Sequence, residues 1–136
     1  MTVGTGRELG SANATSMSKY IPYNYIATVV TQAFFVAPIA CRVTAIQGRP
    51  RVAGNDGSAV TFTFYKSASG VAAASGTLLH SGTYDLKGTA DTNQSLTLVS
   101  NADSLTLNAG DAISAVLTGT ATAAIGTITV TVEPVA

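Results

Sequence analysis

The stretch "SLTLNAGDAISAVLTG" (residues 104–119) decides the fold class, because apolar and polar residues alternate on both sides of a turn. Leu105 and Leu107 precede the turn, and Ile113, Ala115 and Leu117 follow it at every second position. Successive side chains of a β-strand point to opposite faces, so this period of two is typical of strands with one buried face. The stretch therefore predicts two antiparallel strands with a short connection between them.

The connection "NAGD" (residues 108–111) has the composition of a tight turn. Gly110 accepts a positive φ without steric cost, and the Asp111 carboxylate can accept hydrogen bonds from nearby backbone amides. A carboxylate in such a position could also serve as a catalytic group or a metal ligand. The turn chemistry favours the structural role, and we expect Asp111 to be a corner of the fold.

The same alternation recurs along the chain, and Gly-, Ser-, Asn- and Asp-rich turns separate the runs. No segment shows a convincing helical period of 3.6 residues. Several short strands at this spacing predict an all-β protein, an antiparallel β-sandwich of the jelly-roll type. The side chains expected on core faces are Cys41, Val43 and Ala45, Val60, Phe62 and Phe64, Leu96 and Leu98, and Ile128, Val130 and Val132.

Two regions of different composition divide the chain. Residues 1–19 are mostly Gly, Ser, Thr and Asn, with little apolar surface to bury. We expect them to form an extended N-terminal arm, either flexible or ordered only on a partner. Residues 20–136 carry the strand patterns and are predicted to form the single β-sandwich domain.

The overall composition excludes several classes of function. The 136 residues have seven basic and seven acidic side chains, so the net charge is zero and only 10% are charged. Nothing draws such a chain to nucleic acid or to anionic lipid. The most apolar window, residues 25–46, is interrupted by Gln32, Pro38 and Arg42, which argues against a membrane span. Low charge promotes association, and we expect partners to cover much of the surface.

Catalytic signatures are absent from the sequence. His80 is the only histidine, and although Ser81 and Asp85 lie near it, neighbouring residues of a strand point to opposite faces. There is also no G-x-S-x-G nucleophile elbow. We expect His80 to lie on the surface or in an interface, and we assign no catalytic residue.

Metal and cofactor signatures are equally weak. Asp91, Asn93 and Ser95 alternate as in a calcium loop, but Leu96 stands where that loop needs glycine and no Glu closes it. Cys41, the only cysteine, fits a small core residue better than a reactive thiol. We therefore expect no metal and no cofactor.

Arginines and aromatics offer the best candidates for a partner interface. Arg42, Arg49 and Arg51 fall within ten residues, either as a solvated rim or as a bidentate dock for carboxylates of a partner. An aromatic group lies between arm and domain, and it either caps one end of the core or anchors an interface. Its members are Tyr20, Tyr23, Tyr25, Phe34 and Phe35.

Four segments together resemble a known protein family: "FFVAPIACRVTAIQGRPRVAG", "SAVTFTFYKSASGVAAASGTLL", "SLTLNAGDAISAVLTGT" and "GTITVTVEP". They are similar to the jelly-roll capsid cement, or decoration, proteins of tailed bacteriophages, of the kind on Bordetella podophage heads. The likeness spans roughly residues 20–134, leaves the arm unmatched and rests on turn and strand patterns. It implies a non-enzymatic protein on the outside of the virion that binds the major capsid protein and ties capsomers together.

The resemblance carries further expectations. We expect synthesis in the host bacterial cytoplasm, because the N-terminus has no signal peptide. We also expect a homo-oligomer, first a dimer and second a trimer. One alternative is a glycan- or receptor-binding module of a phage fibre or baseplate, although the chain has no Trp and few acids. Another is a cupin-like enzyme, whose metal site would need more than one histidine.

Overall fold

The computed structural model describes residues 19–26 and 29–135, and nearly all of this part of the chain is strand, turn or loop. Within these residues there are two short helical turns, a 3₁₀ turn at Ala73–Ser75 and α1 at Ala102–Leu105. The strands, in chain order, are β1 (Lys19–Tyr25), β2 (Gln32–Val36), β3 (Cys41–Val52), β4 (Thr61–Ser67), β5 (Thr77–Leu78), β6 (Tyr84–Asp85), β7 (Gln94–Ser95), β8 (Thr106–Leu107), β9 (Ala112–Thr118) and β10 (Ile125–Pro134).

The strands pair as a long ribbon folded back on itself. β1 pairs with β10, β2 with β9, β3 with β7 and β8, and β4 with β5 and β6, all antiparallel. Two further pairings, β4 with β9 and β3 with β10, roll this ribbon into two sheets. Sheet one has the order β2-β9-β4-β5, and sheet two has the order β1-β10-β3-β7. This nested order is that of a jelly roll, and it confirms the predicted β-sandwich.

The core between the sheets contains the side chains that the alternation predicts. Phe62, Phe64, Ile113, Ile128 and Val130 have no exposed surface. The last two lie on β10 of sheet two and the others on sheet one, so both inner faces contribute to one core.

The long strand β3 departs from strict alternation. On β10, Thr131 pairs with Ala45 and Val132 pairs with Val43, so Thr44 is the extra residue of a β-bulge. Beyond the bulge the buried residues are Ile46, Gly48 and Pro50, whereas Ala45 is only half-buried. The prediction that Ala45 shares the core face with Val43 is therefore wrong, because one extra residue reverses the facing of all that follow.

The first residues of the stretch 104–119 also differ from the prediction. Asn101 caps a single helical turn, and its side chain accepts a hydrogen bond from the Asp103 backbone amide at 2.9 Å. Leu105 ends this turn, and the following strand is only Thr106–Leu107. Leu105 and Leu107 are nevertheless both buried. The predicted burial of these two residues is therefore correct, and the predicted strand conformation at Leu105 is wrong.

The turn at residues 108–111 has the predicted form. Gly110 has φ +93°, and the Asn108 amide donates to Asp111 Oδ2 at 2.9 Å. Two backbone hydrogen bonds tie this turn to Ala37, between β2 and β3. Asp111 is thus a corner that also joins two connections.

The predicted arm lies almost wholly outside the described residues. Lys19, its last residue, is the first residue of β1. The structure does not describe residues 1–18, and the arm remains a prediction.

Gly126 offers a test of the close packing of neighbouring strands in sheet two. A Cβ at this position would collide with the Tyr25 hydroxyl and would lie 2.7 Å from the Arg49 carbonyl oxygen. We expect Gly126→Ala to lower the free energy of unfolding by about 1–3 kcal/mol, as overpacking does. Chemical denaturation measures this change. The control is Gly57→Ala, where a Cβ meets nothing within 4 Å, and its effect should stay within about 0.5 kcal/mol. Equal effects of the two substitutions would contradict the close approach.

Candidate functional site

The outer face of sheet two is the candidate functional site. The alternation of β1 turns Tyr20, Pro22 and Asn24 outward, while Ile21, Tyr23 and Tyr25 face the core. Tyr20 is 72% exposed, the largest exposed fraction among the large hydrophobic side chains of the described chain. The side chains that this face presents on β3 and β10 are Arg42, Thr44, Gln47, Arg49 and Arg51, and Thr127, Thr129, Thr131 and Glu133.

The strand register sets the layout of this face. Thr127 lies between Asn24 on β1 and Arg49 on β3, and Thr131 lies beside Tyr20. Tyr20 and Arg49 are therefore four residue steps apart along β10, which is roughly 13 Å in the strand direction. The site is a broad sheet surface with a row of threonines at its centre, rather than a cleft.

The three arginines expected to form one cluster differ in their partners. Arg42 Nη2 donates to Glu133 Oε1 at 3.1 Å, across the β3–β10 pair, and both side chains are partly exposed. Arg49 instead donates from Nε to Asn93 Oδ1 at 2.7 Å. Within residues 19–26 and 29–135, no hydrogen bond or ion pair of the Arg51 side chain is found. All three lie on one face, and among the residues that the structure describes only Arg42 is paired with a carboxylate.

The expected aromatic cluster belongs mainly to the core. Tyr23 and Tyr25 are buried, and the half-buried Phe34 and Phe35 pack against the core. The Tyr23 and Phe34 rings stack across the sheets with centroids 4.9 Å apart. Core packing therefore applies to these four residues, although Phe34 and Phe35 keep part of their surface exposed. Tyr20 is the exception.

Two tyrosine hydroxyls meet inside the sandwich. Tyr25 on sheet two and Tyr84 on sheet one share a hydrogen bond of 2.8 Å. Burial raises the pKa of both phenols, and for Tyr84 the bond to Tyr25 raises it further. Both phenols stay neutral under ordinary conditions, and their bond fastens one sheet to the other.

His80 is a core residue, which corrects the expectation of a surface or interface histidine. It is 0% exposed, its Nε2 accepts the Phe64 amide hydrogen at 2.9 Å, and its Nδ1 lies 2.9 Å from the Ser81 carbonyl oxygen. Nδ1 therefore carries the proton. Because both ring nitrogens bind backbone atoms, the imidazole is not placed to act as a general base.

Cys41 is buried at the start of β3, as expected. Burial raises the pKa of its thiol, and the negative charge of Asp111 raises it further. The side chain lies beside an apolar groove whose wall includes Phe35, Ile39 and Val132.

The residues weighed for calcium serve other roles. Asn93 binds Arg49, and Asp91 adopts φ +60° while its amide donates to the Pro50 carbonyl oxygen at 2.7 Å. In the described ranges, no group of three or more His, Cys, Asp or Glu side chains is arranged to hold a metal ion. The helices described there are too short to cross a bilayer.

Sequence reasoning missed the role of Asn93. It lies 44 positions from Arg49 and precedes a two-residue strand, so no local pattern marks the contact. It also missed Ile26, which is 67% exposed beside Arg49 and Arg51. An apolar residue directly after a strand is common in sequences, and only the fold shows that this side chain is exposed to solvent.

Comparison with solved structures shows what this fold is similar to. One similar chain comes from the structure described as the cyanophage Pam1 capsid asymmetric unit, with a TM-score of 0.52, 13% identity, and coverage of 88% of this chain and 84% of that chain. Another comes from Bacillus endospore appendages, described as disulfide-linked pili, with a TM-score of 0.36, 17% identity and 88% coverage of both chains. No protein-family model and no curated protein matches the sequence. At these identities the first likeness establishes the fold alone, and the second carries no argument.

His80 should make stability depend on pH. Burial holds the pKa of its imidazole below the ordinary 6.5, so the unfolded chain binds a proton that the folded chain does not. The free energy of unfolding should therefore fall as the pH drops from 6.5 towards 5, by at most about 1.4 kcal/mol per pH unit for one proton. Urea unfolding at several pH values measures this slope. His80→Gln should flatten it, and an unchanged slope in that variant would refute the assignment.

Cys41 should be inert in the native protein. Its raised pKa leaves little thiolate at neutral pH, and the fold shields the sulfur. We expect negligible alkylation by iodoacetamide at pH 7 without denaturant and complete alkylation in denaturant, as measured by intact mass. Stoichiometric native labelling within minutes would show that the start of β3 is exposed.

Proposed function

We propose that this protein is a non-enzymatic structural component of a phage virion, a cement or decoration protein that binds the outside of the head. The observation that carries the proposal is the fold likeness to a chain of a phage capsid asymmetric unit, over more than four-fifths of both chains. The sequence resemblance to jelly-roll cement proteins points to the same role. Under this proposal the partner is the major capsid protein.

The outer face of sheet two is suited to such contact. A sheet surface has few side-chain conformations to immobilise, because its threonines are short and branched. Tyr20, Arg49 and Arg51 are residue types enriched at binding hot spots.

The mechanism that we propose is mechanical. Each copy spans adjacent capsid subunits, and a homo-oligomer, first a dimer and second a trimer, engages several subunits at once. A ligand that binds only the assembled shell stabilises it by mass action. Capsomers then separate only if contacts on several chains break together.

The test adds purified protein to undecorated heads of its own phage. We expect saturable binding with a fixed number of copies per head, visible by cryo-electron microscopy, and a higher temperature of shell disruption. The matched variant is Tyr20→Ser, which removes the most exposed aromatic group of the face. It should keep its fold and bind at least tenfold more weakly.

Bare heads after incubation would contradict the proposal. Recovery of the protein on tail fibres, or saturable binding to sugars, would instead favour the glycan-binding module.

A further inference from the structure

Arg49 is held in place before any partner arrives. Its Nε donates to Asn93 Oδ1 at 2.7 Å, which uses one of the five N–H donors of the guanidinium. The bond fixes the plane of the group on an exposed strand position. A guanidinium so oriented loses little conformational entropy when its remaining donors bind a ligand.

Arg51 is the extra residue of a second β-bulge of β3, because Ile125 pairs with Val52 and Gly126 pairs with Pro50. Arg49 and Arg51 are two positions apart on this strand. Between them and the end of β1 lies a shallow notch of about 390 Å³. Its apolar floor includes Ile26 and Ile125, and Asp91 is the one acidic residue on its rim.

The rim has an excess of positive charge. Neither Arg49 nor Arg51 lies within ion-pairing distance of Asp91, and the one ion pair found in residues 19–26 and 29–135 is that of Arg42 with Glu133. Two guanidinium groups against one carboxylate leave a net positive site on a chain whose total charge is zero.

Building on the proposed function, we infer that Arg49 and Arg51 form a two-guanidinium dock for carboxylate side chains of the capsid partner. Arginine binds carboxylates through two parallel N–H···O bonds, and because Arg49 and Arg51 line the same notch, they can bind two carboxylates of one segment. An apolar side chain of the same segment fits the floor at Ile26. The ligand class is therefore an acidic, partly apolar protein segment.

Arg42 is outside this dock although it lies on the same strand and face. Its charge is compensated by Glu133 within the chain, at a partly exposed position. It therefore provides a control of the same residue type, and exposed pairs of this kind contribute less than about 1 kcal/mol to stability.

The experiment measures the affinity of four full-length variants for undecorated heads by co-sedimentation, and the salt dependence of that affinity. Arg49→Ala and Arg51→Ala should each weaken binding at least tenfold and reduce its sensitivity to salt. Arg49→Lys should also weaken binding, because an ammonium group keeps the positive charge but cannot form the two parallel hydrogen bonds of a guanidinium. Arg42→Ala should stay within threefold of the unmodified protein. Circular dichroism and thermal unfolding verify that each variant is folded.

The possible outcomes separate this inference from the proposed function. If the unmodified protein binds heads and the Arg49 and Arg51 variants bind as Arg42→Ala does, the dock is wrong and the virion role stands. If Arg49→Lys binds as well as the unmodified protein, the bidentate geometry is wrong. Failure of the unmodified protein to bind heads overturns both.

Discussion

The contact between Phe62 and its aromatic neighbours holds the two sheets together. Its ring lies edge-on to that of Tyr25 at 5.7 Å and stacks on that of Tyr84 at 6.4 Å, with Tyr23 and Phe64 also within 6 Å. Tyr23 and Tyr25 come from sheet two and the others from sheet one, so a single side chain bridges the sandwich. Aromatic pairs of this geometry add about 0.5–1.5 kcal/mol each beyond the area they bury.

This arrangement has a consequence for the surface. The rings of Tyr23, Tyr25 and Phe34 pack in the core. Of the aromatic group of the N-terminal strands, only Tyr20 is therefore largely exposed to an outside partner. The bulge at Thr44 then determines the rest of the face. By reversing the facing of the residues that follow it, the bulge directs Gln47 and Arg49 outward, and Gly48 and Pro50 inward.

The outer face of sheet two is a rigid sheet surface with a shallow notch at one end. The polar groups at its centre are threonines of a long, paired strand. The rigidity of paired strands means that little order must be gained on binding. The charge of this face is sparse and is concentrated on a few arginines.

The sequence alone determined the sandwich, its main core residues and the corner at Asp111, because an alternation of period two and turn-forming residues are local properties. It also gave Arg42, Arg49 and Arg51 as candidates for a partner interface, because the three fall within ten residues of the chain. Only the tertiary structure decided which aromatics were buried, where β3 changes its facing, and that His80 lies inside. Each of these depends on residues far apart in the chain: Tyr23 against Phe34 of the other sheet, Val43 and Ala45 against β10, and the His80 ring against the Phe64 amide. Contacts between residues far apart in the chain determine these three features, and a local sequence pattern contains no information about such contacts.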